Sequence, residues 1–204
     1  MANINLNAIP TLWEDFELVY AVLAIEKEQA QLREMLVNNP LDSASGRLRA
    51  CLAQKLQDLR ARQVQRTPAL ESLMDDINGD TPEDARLFLP SQYQAIQRQE
   101  LGLQALAHAE YVLRVGRAED RLYALALLTR AGATLKQRRN QTAEGFLAVS
   151  KMQRQMDSYG RRIRAIAAAY NVHRSALLQL GLPANNVKVK RLRRGHLSGA
   201  LAIF

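Results

Sequence analysis

Apolar residues recur at intervals of three and four along most of this chain, and that spacing marks one face of a helix. The first helical stretch is predicted to follow Thr11, a capping residue, and to end at Asn38-Asn39-Pro40, because Pro cannot continue a helix. A second stretch, capped by Ser43 or Ser45, carries a leucine stripe and closes at Thr67-Pro68. The pattern predicts almost no strand.

The last predicted helix has the most regular pattern and runs from Thr142 to Leu180. Its apolar positions step by three and four without a slip, which is typical of the heptad seam of a bundle or coiled coil. The seam consists of Val149, Met152, Met156, Tyr159, Ile163, Ile166, Tyr170, His173, Leu177 and Leu180. Gly181-Leu182-Pro183 provides a stop signal. We therefore expect an all-α fold, an elongated antiparallel helical bundle with a long C-terminal heptad helix.

Turn-forming residues divide the chain. The acidic segment Asn78 to Asp84 contains Gly79 and Pro82 and has the composition of a linker. The predicted parts are an N-terminal helical hairpin at 1–77, a linker at 78–86, a long-helix hairpin at 87–182 and a basic tail at 183–204. A turn is expected near 139–141, and Gly116 leaves open whether the first long helix of the second hairpin is continuous.

Charge is distributed unevenly along the 204 residues. The net charge is +8 and the isoelectric point is about 10.0. Residues 1–128 hold 13 Lys and Arg against 18 Asp and Glu, whereas residues 129–204 hold 15 against 2. A block this basic attracts polyanions, and Arg, which dominates it, donates paired hydrogen bonds to phosphate oxygens. The candidate nucleic-acid-binding residues are Lys136, Arg138, Arg139, Lys151, Arg154, Arg161, Arg162, Lys188, Lys190, Arg191, Arg193 and Arg194.

The same arginines have an alternative, structural interpretation. The first predicted helix is acidic, with Glu14, Asp15, Glu17, Glu26 and Glu28. If the basic half folds against that helix, the charge asymmetry is neutralised inside the molecule. The sequence leaves both possibilities open.

Motifs for catalysis, cofactors and metals are missing. The chain has no phosphate-binding loop, no nucleophile elbow and no zinc-binding HExxH helix. The single cysteine, Cys51, excludes an internal disulfide and a Cys-based zinc site, and we interpret it as a small buried hydrophobe. His173 lacks metal-binding companions at helical spacing, so a partly buried, hydrogen-bonded histidine is expected. We expect no enzyme activity, no cofactor and no metal.

No apolar run reaches the roughly 20 residues that a membrane span needs. A lone cysteine suits a reducing compartment, and the basic run from Lys188 to Arg194 is similar to a nuclear-localisation or nucleic-acid patch. The expected location is therefore nuclear or cytoplasmic, without a membrane partner.

Part of the chain resembles a known family. The stretch Leu87-Phe88-Leu89-Pro90-Ser91 is followed by Arg98-x-x-x-Gly102-Leu103-x-x-Leu106-Ala107-x-x-Glu110-x-x-Leu113-Arg114-x-Gly116-x-Ala118-x-Asp120-x-Leu122, and later by Tyr170-x-x-x-Arg174-x-Ala176-Leu177-x-x-Leu180. These segments resemble the C-terminal, non-catalytic region of fungal Kyakuja-Dileera-Zisupton (KDZ) transposases and cover about half the chain. The resemblance implies an accessory helical module associated with DNA. No catalytic residue carries over, because nothing here matches the ribonuclease H-like catalytic domain.

Two functions follow from these patterns. The first is a non-catalytic module that binds nucleic acid non-specifically through its basic C-terminal half. The alternative is a coiled-coil-like interaction or assembly module, in which the heptad helix pairs with a second copy or with a helical protein partner. An enzyme whose pocket forms only in the folded chain is a third, less supported possibility.

Overall fold

The computed structural model describes residues 9–38, 43–75, 81–142, 146–186 and 188–192. Within these ranges lie the α-helices α1 (Ile9–Asn38), α2 (Ser43–Arg66), α3 (Glu71–Asp75), α4 (Ala95–Glu100), α5 (Gln104–Thr142) and α6 (Phe146–Gln179). Two 3₁₀ turns, Pro68–Leu70 and Pro90–Gln92, each begin with proline, whose fixed φ suits the first helical position. The described ranges contain no strand. The all-α prediction and the long C-terminal helix are confirmed.

Helix ends differ from the predicted ones at several points. Helix α1 begins at Ile9, before the predicted cap Thr11. Helix α5 is continuous for 39 residues and passes through Gly116, since a single exposed Gly costs only about 1 kcal/mol in a helix. The turn predicted at 139–141 lies inside α5, and α6 begins at Phe146 instead of Thr142.

The chain forms two compact units, Met1–Leu113 and Arg114–Phe204, and the division falls within α5. It does not fall at the predicted linker, 78–86. Residues 81–86 of that segment belong to the N-terminal unit, where the buried Gln29 donates through Nε2 to the carbonyl oxygens of Pro82 (2.9 Å) and Ala85 (2.8 Å). The backbone of residues 82–85 is therefore fixed to α1.

Residues 85–93 contribute to the core of this unit. Ala85, Leu87, Phe88 and Leu89 are at most 5% exposed and join the leucines and valines of α1 and α2. Their backbone is not helical, so its polar groups need partners from elsewhere. One partner is the buried side chain of Gln63, whose Nε2 donates to the Leu87 carbonyl at 2.8 Å.

Buried carboxylates connect the elements of the N-terminal unit. Asp15 is 1% exposed and accepts from Nε (2.6 Å) and Nη2 (3.0 Å) of Arg66. Glu83 is paired with Arg49, and this ion pair connects residues 81–86 to α2. The Glu110 carboxylate is fully buried and accepts from the backbone N–H (2.8 Å) and hydroxyl (2.6 Å) of Ser91. These contacts cross long stretches of sequence and fix where the irregular segments lie.

In the C-terminal unit the core follows every seventh residue of α6. Met156, Ile163, Tyr170 and Leu177 are each at most 1% exposed. The predicted seam is confirmed at these positions. Its other half, apart from His173, is rotated toward solvent, with Met152, Tyr159, Ile166 and Leu180 half-buried, and Val149, near the start of the helix, is 42% exposed.

Small residues take the place of that second half. Gly160 and Ala167 are buried between the heptad positions. Ile163 and Ala167 pack against Leu125 and Leu128 of α5 and against Leu192. The short side chains let the neighbouring elements approach this face of α6 closely.

His173, the polar residue of the seam, is 6% exposed. Its Nδ1 lies 3.2 Å from Nη1 of the buried Arg114. Since an arginine only donates, Nδ1 must accept and the imidazole proton sits on Nε2. The expectation of a buried, hydrogen-bonded histidine is confirmed. Cys51, in contrast, is exposed, so its prediction as a buried hydrophobe is wrong. It lies beside the buried leucine stripe of α2 and outside it.

Replacing Gln29 by Ala should destabilise the N-terminal unit by about 1–3 kcal/mol, because two carbonyl acceptors lose their donor. Urea denaturation would measure the loss. Gln31→Ala on the exposed face of the same helix is the matched control and should change stability by less than about 0.5 kcal/mol. Equal effects at the two positions would contradict the role assigned to Gln29.

Ile163→Ala should cost about 2–5 kcal/mol, as deletions from a packed core do. Arg161→Ala and Arg162→Ala, whose side chains are exposed, should each stay within about 0.5 kcal/mol. The half-buried Ile166 should fall between them. Thermal and urea denaturation would rank the variants, and a cost at Ile163 no larger than at Arg161 would refute the assigned core.

Acid should weaken the N-terminal unit in part through Glu83. The hydrogen bond from Arg49 lowers the pKa of this carboxyl below its ordinary value of 4.5. A carboxyl with a lowered pKa in the folded state stabilises fully above its ordinary pKa, and this stabilisation is lost as the pH falls through the folded pKa. Stability measured from pH 6 to pH 3 should therefore decline less steeply in Glu83→Gln than in the wild type, and parallel declines would contradict the assignment.

Candidate nucleic-acid interface

The two units carry opposite charge. Residues 1–113 hold 10 Lys and Arg against 16 Asp and Glu, a net charge of −6. Residues 114–204 hold 18 against 4, a net charge of +14. The boundary between the units thus coincides closely with the change in charge along the sequence, and the C-terminal unit is where an anionic ligand would be attracted.

The outer face of α6 presents four of the predicted residues. Lys151, Arg154, Arg161 and Arg162 are all exposed. Arg154 and Arg161 are one heptad apart, and each lies two residues, or about 200° of helical rotation, from a core position, so both point away from the core. None of the four forms an ion pair within the part of the chain that the structure describes.

Residues 182–186 and 188–192 follow α6 back along its own surface. Arg174 donates from Nε to the Val189 carbonyl at 2.9 Å. The Tyr170 hydroxyl donates to the Lys190 carbonyl at 2.8 Å, and burial raises the pKa of that hydroxyl, against the lowering effect of Arg174. The phenol therefore remains a donor at neutral pH.

Asn171 holds the end of this segment by both halves of its amide. Its Nδ2 donates to the Leu192 carbonyl at 3.1 Å, and its Oδ1 accepts from the Leu192 N–H at 3.2 Å. In a β-sheet, a neighbouring strand would bond both the N–H and the carbonyl of such a residue. Here the side-chain amide of Asn171 makes both hydrogen bonds. Residues up to 192 are consequently fixed to α6, within the region predicted as a basic tail.

In residues 188–192, the apolar side chains face α6 and the charged side chains face solvent. Val189 is 6% exposed and Leu192 is half-buried against α6. Lys188, Lys190 and Arg191 are exposed. The fold therefore adds three exposed cations beside the same helix, on the flank marked by Asn171 and Arg174.

Arg164 belongs to this arrangement as well. It is exposed and lies one heptad before Asn171, on the flank of α6 that the docked segment approaches. Its Nη1 lies 3.6 Å from where a Cβ would stand on Gly160. We call the combined set the basic surface; it comprises Lys151, Arg154, Arg161, Arg162, Arg164, Lys188, Lys190 and Arg191.

The remaining predicted residues lie elsewhere. Lys136 is half-buried and Arg138 exposed, both near the end of α5. Because Leu125 and Leu128 pack against Ile163 and Ala167, antiparallel register places those two cations at the level of Lys151 and Arg154. The side chain of Arg139, and both Arg193 and Arg194, lie outside the described residues.

One acid interrupts the outer face of α6. Asp157 is exposed and lies three residues after Arg154 and four before Arg161. It accepts a hydrogen bond from Gln153 Nε2 at 3.0 Å. Its charge lowers the local positive potential, so it offers a test of opposite sign to the arginines.

Acids of the first helix have partners inside the N-terminal unit. Asp15 pairs with Arg66, Glu28 accepts from Lys55 Nζ at 2.6 Å, and Glu17 accepts from the Trp13 indole at 2.9 Å. Three of the five acids that could have neutralised the arginines of the basic half are thus bonded to their own helix or to α2. This weakens the structural interpretation of the charge asymmetry.

Groups of three or more His, Cys, Asp or Glu side chains that could hold a metal ion do not occur among the described residues. No described helix is long and apolar enough to cross a bilayer. Compared with known proteins, the chain matches no family model, no curated protein and no solved structure.

Proposed function

We propose that this chain binds nucleic acid without sequence preference through the basic surface. The observation that carries the proposal is the fixing of residues 188–192 to α6. This contact places Lys190 and Arg191 on the same helix that displays Arg154 and Arg161. The backbone that carries these cations is already ordered, so binding to phosphates has to fix only their side chains.

The spacing along α6 suits a charged polymer. Seven residues of helix rise about 10.5 Å, the distance from Arg154 to Arg161 along the axis. Phosphates of one strand recur about every 3.4 Å along a duplex, so these arginines would be separated by roughly three phosphates. Each neutralised phosphate releases condensed counterions, which drives binding and makes it weaken steeply with salt.

Sequence-independent binding is expected because no base-reading set is present. The face between the arginines carries the short side chains Ser158, Ala165 and Ala168, and no helix-turn-helix precedes α6. Phosphate contacts position a protein on a duplex but carry no code. The transposase resemblance of the segment from Phe88 makes duplex DNA the first ligand to test.

The alternative function, assembly through the heptad seam, has less support. Met156, Ile163, Tyr170 and Leu177 are already covered within the chain. A partner helix would have to displace that packing in order to reach them. The proposed function is non-catalytic, and no residue is proposed for a chemical step.

Charge reversal at Arg154 and Arg161 should weaken duplex binding by a similar factor for every sequence. Removing two phosphate contacts should flatten the slope of log K against log salt by about two units, at about 0.9 per contact. Fluorescence anisotropy with random duplex DNA at several salt concentrations measures both quantities. Lys27→Glu with Arg47→Glu makes the same change in net charge on exposed positions of α1 and α2 and is the matched control.

Asp157→Asn should have the opposite effect and tighten binding, because it removes the one negative charge on the outer face of α6 within the described residues. If reversing Arg154 and Arg161 weakens binding no more than reversing Lys27 and Arg47, net charge alone drives binding. Absence of binding to duplex and single-stranded nucleic acid at low salt, where phosphate contacts are strongest, would refute the proposal.

A further inference from the structure

The N-terminal unit carries a groove between α1 and α2 that the proposed function does not use. Two adjoining cavities, of about 260 Å³ and 280 Å³, both border Arg62 and together extend from Glu14 to Glu28. The groove is lined by the apolar residues Leu18, Ala21, Ala24, Ile25 and Leu59. The alanines leave room for a helix to approach closely.

Large aromatic residues flank this groove. Trp13 is 67% exposed and Tyr20 is 61% exposed. Each precedes a groove residue, Glu14 or Ala21, by one position, which places both on the outer side of α1. Exposed aromatic residues beside an apolar groove are typical of a protein interaction surface.

The two walls of the groove carry opposite charge. The α1 wall holds the acids Glu14 and Glu28, whereas the α2 wall holds Lys55, Arg62 and Arg66 beside a single acid, Asp58. Some of these charges are paired across the hairpin, as in Asp15 with Arg66 and Glu28 with Lys55. The surface therefore has an acidic strip next to a basic strip.

Unused charges remain along these strips. Glu14 and Arg62 are exposed, line the same cavity, and form no ion pair with any residue that the structure describes. In the second cavity, Glu28 Oε2 is buried and has no hydrogen-bond partner among the described residues. The groove thus offers an exposed base, Arg62, and an exposed acid, Glu14, which lies close enough to Arg66 to raise the pKa of that guanidinium.

We propose that a second copy of this chain fills the groove and forms a two-fold dimer, with α1 of each copy lying on α2 of the other. Each copy carries both the acidic strip and the basic strip, so the acidic strip of one copy can face the basic strip of the other. Two-fold contacts join the same patch on both subunits, as self-complementarity requires. The proposal is independent of nucleic-acid binding.

Charge selects one of the two ways in which the hairpins can stack. An axis across the helices would place α1 on α1 and α2 on α2, with like charges facing each other. An axis parallel to the helices places the acidic α1 on the basic α2 and keeps every residue at its own level. Glu14 of each copy then faces Arg62 of the other.

A charge swap in the full-length chain tests the pairing. Sedimentation of the wild type across a dilution series should show a monomer–dimer equilibrium. Glu14→Arg and Arg62→Glu, made separately, should each weaken dimerisation by on the order of tenfold, since every dimer contains the contact twice and each exposed pair contributes up to about 1 kcal/mol. The double variant should restore it, because the introduced arginine of one copy would then face the introduced glutamate of the other. Glu71→Arg, on an exposed position of α3 outside the groove, is the control.

Orientation can be read from the single cysteine, Cys51, which is exposed on α2. With the axis parallel to the helices, spin labels on the two copies lie at the same level, and the helices that carry them are about 11–14 Å apart, the diagonal of a bundle with 8–10 Å neighbours. The crosswise arrangement puts them at opposite ends of the groove, about 22 Å apart along the helices, because Cys51 lies about seven to eight residues from the midpoint between Lys55 and Arg62. Dipolar spectroscopy distinguishes these distances.

Three results would overturn the proposal. They are a monomer at every concentration, a dimer whose affinity the single reversals leave unchanged, and the long interspin distance. Failure of the dimer would leave nucleic-acid binding through α6 untouched. Loss of nucleic-acid binding in the α6 variants would equally leave the dimer intact, so the two proposals fail separately.

Discussion

The fold depends on how its extended segments satisfy their backbone polar groups. An extended backbone that lies on a helix has no neighbouring strand to bond with, and a buried carbonyl without a donor is costly. Helix side chains solve this problem in both units. Gln29 and Gln63 donate to the segment that follows the first hairpin, and Asn171 and Arg174 do so for the segment after α6.

These contacts decide what each unit displays. In the N-terminal unit they hold Leu87, Phe88 and Leu89 in the core, so the residues predicted to begin the second hairpin pack with the first one. In the C-terminal unit they hold Val189 inward and leave Lys188 and Lys190 outward. The basic surface is therefore assembled by hydrogen bonds to backbone groups. Among the described residues, no ion pair holds these cations in place.

Helix α6 carries its core residues on one face and its arginines on the opposite face. Its buried positions recur every seven residues, and the small residues Gly160 and Ala167 lie between them. Because the core occupies one side, Arg154 and Arg161 on the opposite side can change without disturbing it. Stability and the proposed nucleic-acid binding should for this reason be separable by mutation, and both should be separable from the proposed dimer contact in the groove of α1 and α2.

Local signals in the sequence determined the fold class, the approximate helices, the heptad positions of α6 and the charge division, because helical periodicity and charge are properties of neighbouring residues. The tertiary structure decided the rest. Gly116 did not break α5, since packing along a long helix outweighs one weak residue. The role of residues 81–93 was hidden, because the amides that bind them lie 24 to 56 positions away. Asn171 looked like an ordinary polar residue of a helix, and the return of residues 188–192 along α6 gave it a place in the candidate site. Contacts between distant residues arise only when the chain is folded, and periodicity does not record them.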